Sequence, residues 1–294
     1  MKIIITGSLG NISKPLASQL IAKGNNVTVI SSNADRTAEI SELGAKAAIG
    51  SVTDESFLTE TFTGADLVYL MVPPHFGADD LKKHIKNVGQ HYANAVKASG
   101  VKKVVLLSSI GAHLEKGTGP IAGLYAVEQI FNQLADIDLL SLRPSYFYNN
   151  LYANIDLIKH AGIVGANYGA DQSIVLVHPS DIAAVAAAKI EEGFEGKSIL
   201  YIASDKRKLS EVASALGTAI GKAGLPWVEF DDTQAYEGMV GAGLSAEMAS
   251  NYVEMGTAIR SVVLWEDFEA KGIVPVGKIK LEDFAAQFAS AYNG

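Results

Sequence analysis

The first residues whose types and spacing suggest chemistry form a glycine turn near the N-terminus. After the apolar run Ile3–Thr6, the chain places Gly7, Gly10 and Ser13 at every third position. A first glycine fits a tight turn after a strand, and a second lets the backbone approach a pyrophosphate at the start of the next helix. The third position is usually glycine, for close helix–strand packing, and serine is a small substitute. The pattern predicts a dinucleotide site, and an ordinary strand–helix turn is the alternative.

The residues after the second apolar run, Val27–Ile30, indicate which dinucleotide is bound. An acidic residue there would bind the adenosine ribose and favour NAD. This chain has Ser32, whose hydroxyl can donate to a 2′-phosphate, and Arg36, which can pair with one. We therefore predict NADP(H) as the cofactor. NAD(H) is the alternative because Asp35 could meet a ribose, and Arg36 could also be a solvated charge at a helix start.

The elements that would position this turn follow from apolar runs that alternate with amphipathic stretches. Continuous apolarity indicates strands buried on both faces, as in a parallel sheet. We predict an α/β fold, a doubly wound parallel sheet of the Rossmann type. In the first half, the predicted strands are Ile3–Thr6, Val27–Ile30, Ala45–Ile49, Leu67–Val72, Val104–Ser108 and Asp138–Leu142. The predicted helices are Lys14–Lys23, Arg36–Leu43, Phe57–Phe62, Lys82–Ser99 and Gly123–Leu134.

The second half is less regular. We predict that residues 1–150 form the NAD(P)-binding Rossmann domain. Residues 151–294 would form a smaller α/β substrate-binding lobe that partly completes the sheet. A helix over Ser180–Glu191 would be capped by Ser180 or Asp181. Asp231–Tyr252 is predicted as short helices around a mobile segment. The other predicted elements are strands at Ile174–Val177, Ser198–Ile202 and Trp227–Phe230, and helices from Leu209 to about Ala223 and over Leu281–Ala291.

Composition narrows the function classes. The chain has 294 residues, a net charge of −8 and no cysteine. Acidic charge disfavours direct contact with nucleic acid, and the missing thiols exclude disulfides, thiolate catalysis and cysteine-ligated metals. No His/Asp/Glu cluster has a convincing metal spacing, and no run approaches the ~18 apolar residues of a membrane helix. We expect a cytoplasmic protein, monomeric or homodimeric, that neither binds a metal nor enters a membrane.

Several longer motifs run through most of the chain. They are Ile5–Gly7 with Gly10, Leu70–Pro74, Val104–Ser109, Leu142–Asn150 and His178–Ala183. The Arg-Pro segment Leu142–Asn150, with its aromatics and asparagines, is the most specific of them. Together they resemble the NmrA-like family of atypical short-chain dehydrogenase/reductases. That family includes NADP-dependent quinone reductases, triphenylmethane-type reductases and catalytically silent redox-sensing regulators.

The resemblance implies roles for individual residues of the cofactor and substrate sites. The pyrophosphate would contact Gly7, Leu9, Gly10, Asn11 and Ile12, and the adenosine phosphate would lie near Ser32, Asn33 and Arg36. The ribose side of the cofactor would be lined by Met71, Val72 and Pro73, with Ser108 and Ser109 near the nicotinamide. Tyr146, Phe147, Tyr148 and Asn149 would face the substrate, although the three aromatics could equally be core.

One departure from the usual chemistry concerns Tyr125. Typical short-chain dehydrogenases use a Tyr-x-x-x-Lys pair, in which the lysine lowers the tyrosine pKa and holds the nicotinamide ribose. Here Gln129 occupies the lysine position. Gln129 can hydrogen-bond a ribose but cannot depress a phenol pKa electrostatically. Tyr125 is therefore kept as a candidate catalytic residue, but a classical alcohol–ketone mechanism is not expected.

The other candidate catalytic residues lie in the loop that follows Val104–Ser108. Ser109 would approach the nicotinamide, and His113 could protonate a reduced acceptor, or be only a solvated loop residue. His75 could also reach the pocket, whereas His178 is expected to be structural and Asp181 a helix cap rather than a catalyst.

These observations predict an NADPH-dependent oxidoreductase that transfers hydride to a small acceptor, aromatic or quinone-like. Such a transfer can proceed by positioning alone, without a strong protein acid. The alternative is a non-catalytic NADP(H)-binding redox sensor that acts through a protein partner, which the missing lysine fits equally well. A sugar-nucleotide epimerase is disfavoured because epimerases of this fold rely on the tyrosine–lysine pair.

Overall fold

The computed structural model describes residues 1–294 and contains one large parallel sheet and two small sheets. The large sheet has seven strands in the order β3-β2-β1-β4-β5-β6-β10, all paired in parallel. The smaller sheets are β11-β9-β7 and β12-β8. The strands are Lys2–Ile5 (β1), Asn26–Ser31 (β2), Lys46–Ile49 (β3), Leu67–Leu70 (β4), Lys103–Leu107 (β5), Asp138–Pro144 (β6), Tyr146–Phe147 (β7), Val164–Ala166 (β8), Ser173–Val177 (β9), Lys197–Ile202 (β10), Asp205–Lys208 (β11) and Trp227–Glu229 (β12).

Twelve α-helices accompany these strands, and every helix predicted in the first half is present within a few residues of its predicted ends. Short 3₁₀ helices lie at Ala34–Arg36, Tyr148–Asn154 and Val263–Trp265. The α-helices are Ser13–Ala22 (α1), Thr37–Glu42 (α2), Glu55–Phe62 (α3), Leu81–Ser99 (α4), Ile121–Asn132 (α5), Ile155–Ala161 (α6), Pro179–Glu192 (α7), Leu209–Ala219 (α8), Asp232–Gly241 (α9), Ala246–Arg260 (α10), Glu266–Ala270 (α11) and Leu281–Asn293 (α12).

The large sheet is covered on both faces, which explains its continuously apolar strands. In β1, Ile3 and Ile5 join a core that includes Leu16 of α1 and Ile182 of α7. Ile4 points the other way, into a core shared with α3, α4 and α5. Burial on both faces confirms the predicted doubly wound architecture. A third core lies in the C-terminal half, while β10 joins the large sheet at its edge beside β6.

The start of α7 corrects one prediction. The helix begins at Pro179, and its N-cap is His178, whose Nδ1 accepts from the amide of Ser180 at 3.1 Å. Neither Ser180 nor Asp181 is the cap. The Asp181 carboxylate instead accepts from the Ser204 hydroxyl at 2.7 Å and the Ile279 amide at 3.1 Å. Proline favours the first helical position, so Pro179 starts the helix and the cap falls at His178, two residues before Ser180 and three before Asp181. No helix has both the length and the apolar character that crossing a membrane requires.

The segment expected as short helices, Asp231–Tyr252, contains α9 and the first half of α10. Helix α10 continues to Arg260 and makes polar contacts with the start of α4. The Glu247 carboxylate accepts from the Leu81 amide at 3.1 Å, and Lys82 pairs with Glu254 at 2.5 Å. These contacts place α10 against the N-terminal half of the chain.

Candidate dinucleotide site

The glycine turn lies where β1 ends, and its geometry requires glycine at one position. Gly7 has a φ of +91°, which L side chains rarely adopt. A Cβ there would lie 2.6 Å from the Ser13 Oγ and 2.8 Å from the Met71 Cγ. The turn is closed by the Gly10 amide, which donates to the Gly7 carbonyl at 3.1 Å. Gly7 is thus needed both for backbone conformation and for the close approach of α1 and the end of β4.

Ser13 explains how this turn functions without its third glycine. The side chain is buried, and its hydroxyl donates to the Thr6 carbonyl at 2.9 Å. The Thr6 hydroxyl in turn accepts from the Met71 amide at 2.8 Å. A small side chain that satisfies its own polar atom can replace glycine at a crowded contact. The serine therefore joins the turn to the end of β1.

Free backbone amides at the start of α1 fit a pyrophosphate. The amides of Leu9, Asn11 and Ile12 donate to no acceptor within the chain. They precede a ten-residue helix whose N-terminus carries a partial positive charge. Gly10 and Asn11 are exposed to solvent. The turn is therefore open to solvent at Gly10 and Asn11, beside these free donors.

The residues predicted to lie near the adenosine phosphate follow the end of β2. Here the Ser8 hydroxyl donates to the buried Ser31 hydroxyl at 3.0 Å, which joins the glycine turn to β2. Ser32, Asn33 and Arg36 follow directly and are exposed. Ser32 and Arg36 therefore keep polar donors at the open rim, whereas the Asn33 side-chain oxygen accepts from the amide of Asp35.

A lysine not identified from the sequence also lies at this rim. Lys14, in the first turn of α1, pairs with Glu39 at 2.9 Å, and Arg36 pairs with the same carboxylate at 2.6 Å. The two hydrogen bonds, from Lys14 first and Arg36 second, lower the pKa of Glu39. A lysine directly after the last position of the glycine motif is the sequence signal that could have identified this residue.

The residues predicted to lie near the ribose and nicotinamide follow β4 and β5, next to β6. Met71, Val72 and Pro73 are half-buried directly after β4. Two serines close the adjacent strands: Ser108 follows β5 and Ser145 follows β6, and both are almost fully buried. Their hydroxyls, and the side-chain oxygen of Asn149, have no hydrogen-bond partner in the chain. Buried polar atoms are normally paired, so each of these three atoms could bind a polar group of a ligand.

Tyr125 and Gln129 lie one turn apart on α5 and are both half-buried. Between them on α5 lies Glu128, a buried residue that no sequence motif marks. Its carboxylate forms a two-point ion pair with Arg143 of β6, with nitrogen–oxygen distances of 3.0 and 2.6 Å. Both side chains are almost fully buried. This pair fixes α5, and with it Tyr125 and Gln129, against the sheet.

The same guanidinium extends the network to the loop after β5. Arg143 donates to the Ala112 carbonyl at 3.2 Å and to the Tyr201 hydroxyl at 2.8 Å. Tyr201 donates in turn to Asp267 of α11. Burial first, and then the Asp267 carboxylate, raises the pKa of Tyr201 to about 12. The network anchors the backbone immediately before His113.

His113 lies beside this network. Burial is the largest influence on the pKa of His113 and lowers it, whereas the charges of Asp267 and Arg143 have smaller, opposing effects. Neither ring nitrogen has a hydrogen-bond partner. The charges that act on its pKa belong to Arg143 of β6 and to residues in or directly after α11, namely Glu266, Asp267 and Lys271. A catalytic role for His113 or for Ser109, which is half-buried, therefore remains a prediction. His75 is exposed beside His84, with ring centroids 4.7 Å apart.

The predicted substrate-binding aromatics have different surroundings. Tyr148 is fully buried in the C-terminal core and stacks on Phe284 at 5.0 Å, so we assign it to packing instead of substrate contact. Phe147 packs against the core beneath the glycine turn and is half-buried. Burial raises the pKa of Tyr146, whose phenol interacts with that of Tyr168. Tyr146 therefore remains protonated at neutral pH.

The fold and the glycine turn define a Rossmann-type dinucleotide-binding protein. Residues 7–150 match the NAD(P)H-binding family, and this match covers just under half of the 294-residue chain. Residues 7–150 thus match the kind of domain that the glycine turn predicts, one that binds NAD(P)H. A comparison with curated protein sequences finds no match.

Solved structures with the same fold cover nearly the whole chain. A triphenylmethane reductase from Citrobacter sp. has a TM-score of 0.79 at 19% identity and covers 99% of this chain and 100% of its own. An NADPH-dependent quinone oxidoreductase from Escherichia coli, solved with NADPH, has a TM-score of 0.76 at 19% identity, with coverages of 97% and 99%. A nucleoside-diphosphate-sugar epimerase from Staphylococcus aureus has a TM-score of 0.76 at 16% identity, with coverages of 97% and 100%. At these identities the neighbours establish the Rossmann-like fold alone.

Proposed function

We propose that this protein is an NADPH-dependent oxidoreductase that reduces a small conjugated acceptor, such as a quinone or a cationic dye. The observation that carries the proposal is the set of unpaired polar atoms on Ser108, Ser145 and Asn149. These residues follow the parallel strands β5 and β6, at the same carboxyl edge of the sheet as the free amides between β1 and α1. The likeness to a quinone oxidoreductase and a triphenylmethane reductase supports the same class of reaction.

The residues present fit an extended NADP(H). The amides of Leu9, Asn11 and Ile12 would bind the pyrophosphate, and Ser32 and Arg36 the 2′-phosphate. The half-buried residues Met71, Val72 and Pro73 would lie along the ribose, and the orphaned oxygens of Ser108, Ser145 and Asn149 would hold the carboxamide. The bound nicotinamide supplies the hydride.

The surroundings of the acceptor favour reduction without a strong protein acid. Gln129 stands where a lysine would lower the pKa of Tyr125. Burial raises the pKa of the half-buried Tyr146 and Tyr252, so their phenols would be neutral hydrogen-bond donors to the acceptor. A conjugated acceptor delocalises the charge it gains and needs only such donors and correct positioning. Tyr146 is the residue we expect to orient the acceptor.

A non-catalytic redox sensor is the second candidate, favoured by the same glutamine at position 129. Such a protein would bind NADP(H) and report its redox state through a partner protein. Its cofactor contacts would be those described above, so cofactor binding alone does not separate the two functions.

One assay separates them. Purified protein is mixed with NADPH and a panel of quinones and triphenylmethane dyes, and the loss of NADPH absorbance is followed against a protein-free control. Turnover that falls in Tyr146→Phe but persists in Tyr148→Phe supports the enzyme and the proposed orientation. Tight NADPH binding without turnover on any acceptor contradicts the enzyme and favours the sensor.

A second measurement concerns the choice of cofactor. Arg36→Ala is expected to weaken NADPH binding far more than NADH binding, because NADH lacks the 2′-phosphate. Equal losses for the two cofactors would refute the phosphate contact.

A further inference from the structure

Two cations from different elements share one carboxylate at the adenosine rim of the cleft. Lys14 belongs to the first turn of α1, and Arg36 follows β2. Both pair with Glu39 of α2, at 2.9 and 2.6 Å, and the Lys14 and Arg36 side chains are each 49% exposed. The carboxylate therefore holds together two side chains that would otherwise extend separately into solvent.

Both cations retain donors for a further anion. A lysine ammonium has three donors, and Lys14 uses one of them, on Glu39. Arg36 donates to Glu39 through Nη1 alone, so its Nε and Nη2 remain free. The cluster carries two positive charges and one negative charge. A 2′-phosphate, which approaches two negative charges at neutral pH, matches the two cations better than the single carboxylate does.

We infer that Lys14 is a second cation for the 2′-phosphate of NADP(H), and that Glu39 is a built-in competitor that occupies both cations until the phosphate displaces it. This inference rests on the proposed use of NADP(H). Lys14 and Glu39 together then set the preference for NADP(H) over NAD(H): the lysine increases it and the glutamate limits it.

The test is a set of calorimetric titrations of NADPH and of NADH into the wild type, Lys14→Ala and Glu39→Gln. Lys23→Ala is the matched control, because it removes an exposed lysine at the opposite end of α1. Low ionic strength keeps the screening of exposed charges small. Far-UV circular dichroism verifies that each variant is folded.

Lys14→Ala is expected to weaken NADPH binding about three- to tenfold, and Glu39→Gln to strengthen it about two- to fivefold, as for single exposed charge contacts. NADH affinity stays unchanged in both, and Lys23→Ala alters neither cofactor. Equal effects on the two cofactors, or weaker NADPH binding in Glu39→Gln, would overturn the inference.

The wild-type titration distinguishes a failure of the proposed NADP(H) specificity from a failure of the role of Lys14. A wild type with equal affinity for NADPH and NADH refutes the proposed cofactor, and the inference with it. A wild type that prefers NADPH, with the preference unchanged in Lys14→Ala, refutes the role of Lys14 alone.

Discussion

Replacing Gly7 by alanine should damage both stability and cofactor binding, for two separable reasons. The φ of +91° is strained for an L residue, which costs about 1–2 kcal/mol. The added Cβ would also lie 2.6 Å from the Ser13 Oγ and 2.8 Å from the Met71 Cγ, an overlap that costs about 1–3 kcal/mol more. We expect Gly7→Ala to lower the free energy of unfolding by about 2–5 kcal/mol in total.

Gly24→Ala is the matched control for this prediction. Gly24 has a similar φ of +84°, but a Cβ there would meet nothing within 4 Å. Urea unfolding of the two variants therefore isolates the overlap from the backbone strain. Titration with NADPH should show that Gly7→Ala lowers the affinity about tenfold or more. A shift of the free amides that costs about 1.4 kcal/mol of binding free energy is enough for that change. Gly24→Ala should bind NADPH like the wild type. Equal losses of stability and equal NADPH affinities in the two variants would refute the crowded-turn argument.

Three further predictions concern stability. Glu128→Gln removes the two-point carboxylate partner of the buried Arg143, which keeps only a longer pair to Asp267 at 3.5 Å, and should cost about 3–5 kcal/mol in urea unfolding. Glu192→Gln, at an exposed pair with Lys189, should cost less than about 1 kcal/mol. Val262 has a φ of +58°, so Val262→Gly should raise the free energy of unfolding by about 1 kcal/mol, and a loss in chemical denaturation would contradict the strain. Burial lowers the pKa of His113, so the unfolded chain binds more protons than the native one below about pH 6.5. Wild-type stability should therefore fall as the pH drops from 6.5, and His113→Gln should fall less; parallel pH curves would exclude a buried neutral histidine.

Much of the sheet could be predicted because its signals are local. Each parallel strand is buried on both faces, so it appears in the sequence as an uninterrupted apolar run, such as Leu67–Leu70. The glycine turn was equally visible, since its position between a strand and a helix follows from neighbouring residues. The short strands of the C-terminal half, such as Tyr146–Phe147 and Asp205–Lys208, were missed. Two to four residues leave no periodicity to detect.

The site was predicted unevenly for a similar reason. Gly7, Gly10 and Arg36 were identified because a motif or a position after a strand marks them. Lys14 and Glu128 were not, because their importance comes from partners distant in sequence, Glu39 and Arg143. Tyr148, placed in a motif with aromatic neighbours, is a core residue, since only packing decides which side of a segment faces inward.

The sequence by itself determined the alternation of strands and helices, the glycine turn and the absence of a lysine at position 129. These depend on residue type and local spacing, which the chain carries without folding. Only the tertiary structure decided that Ser13 can replace a glycine by donating to Thr6, and that Ser108, Ser145 and Asn149 are left with unpaired polar atoms. Burial and hydrogen-bond pairing depend on which distant segments meet, and that is settled by packing the whole chain.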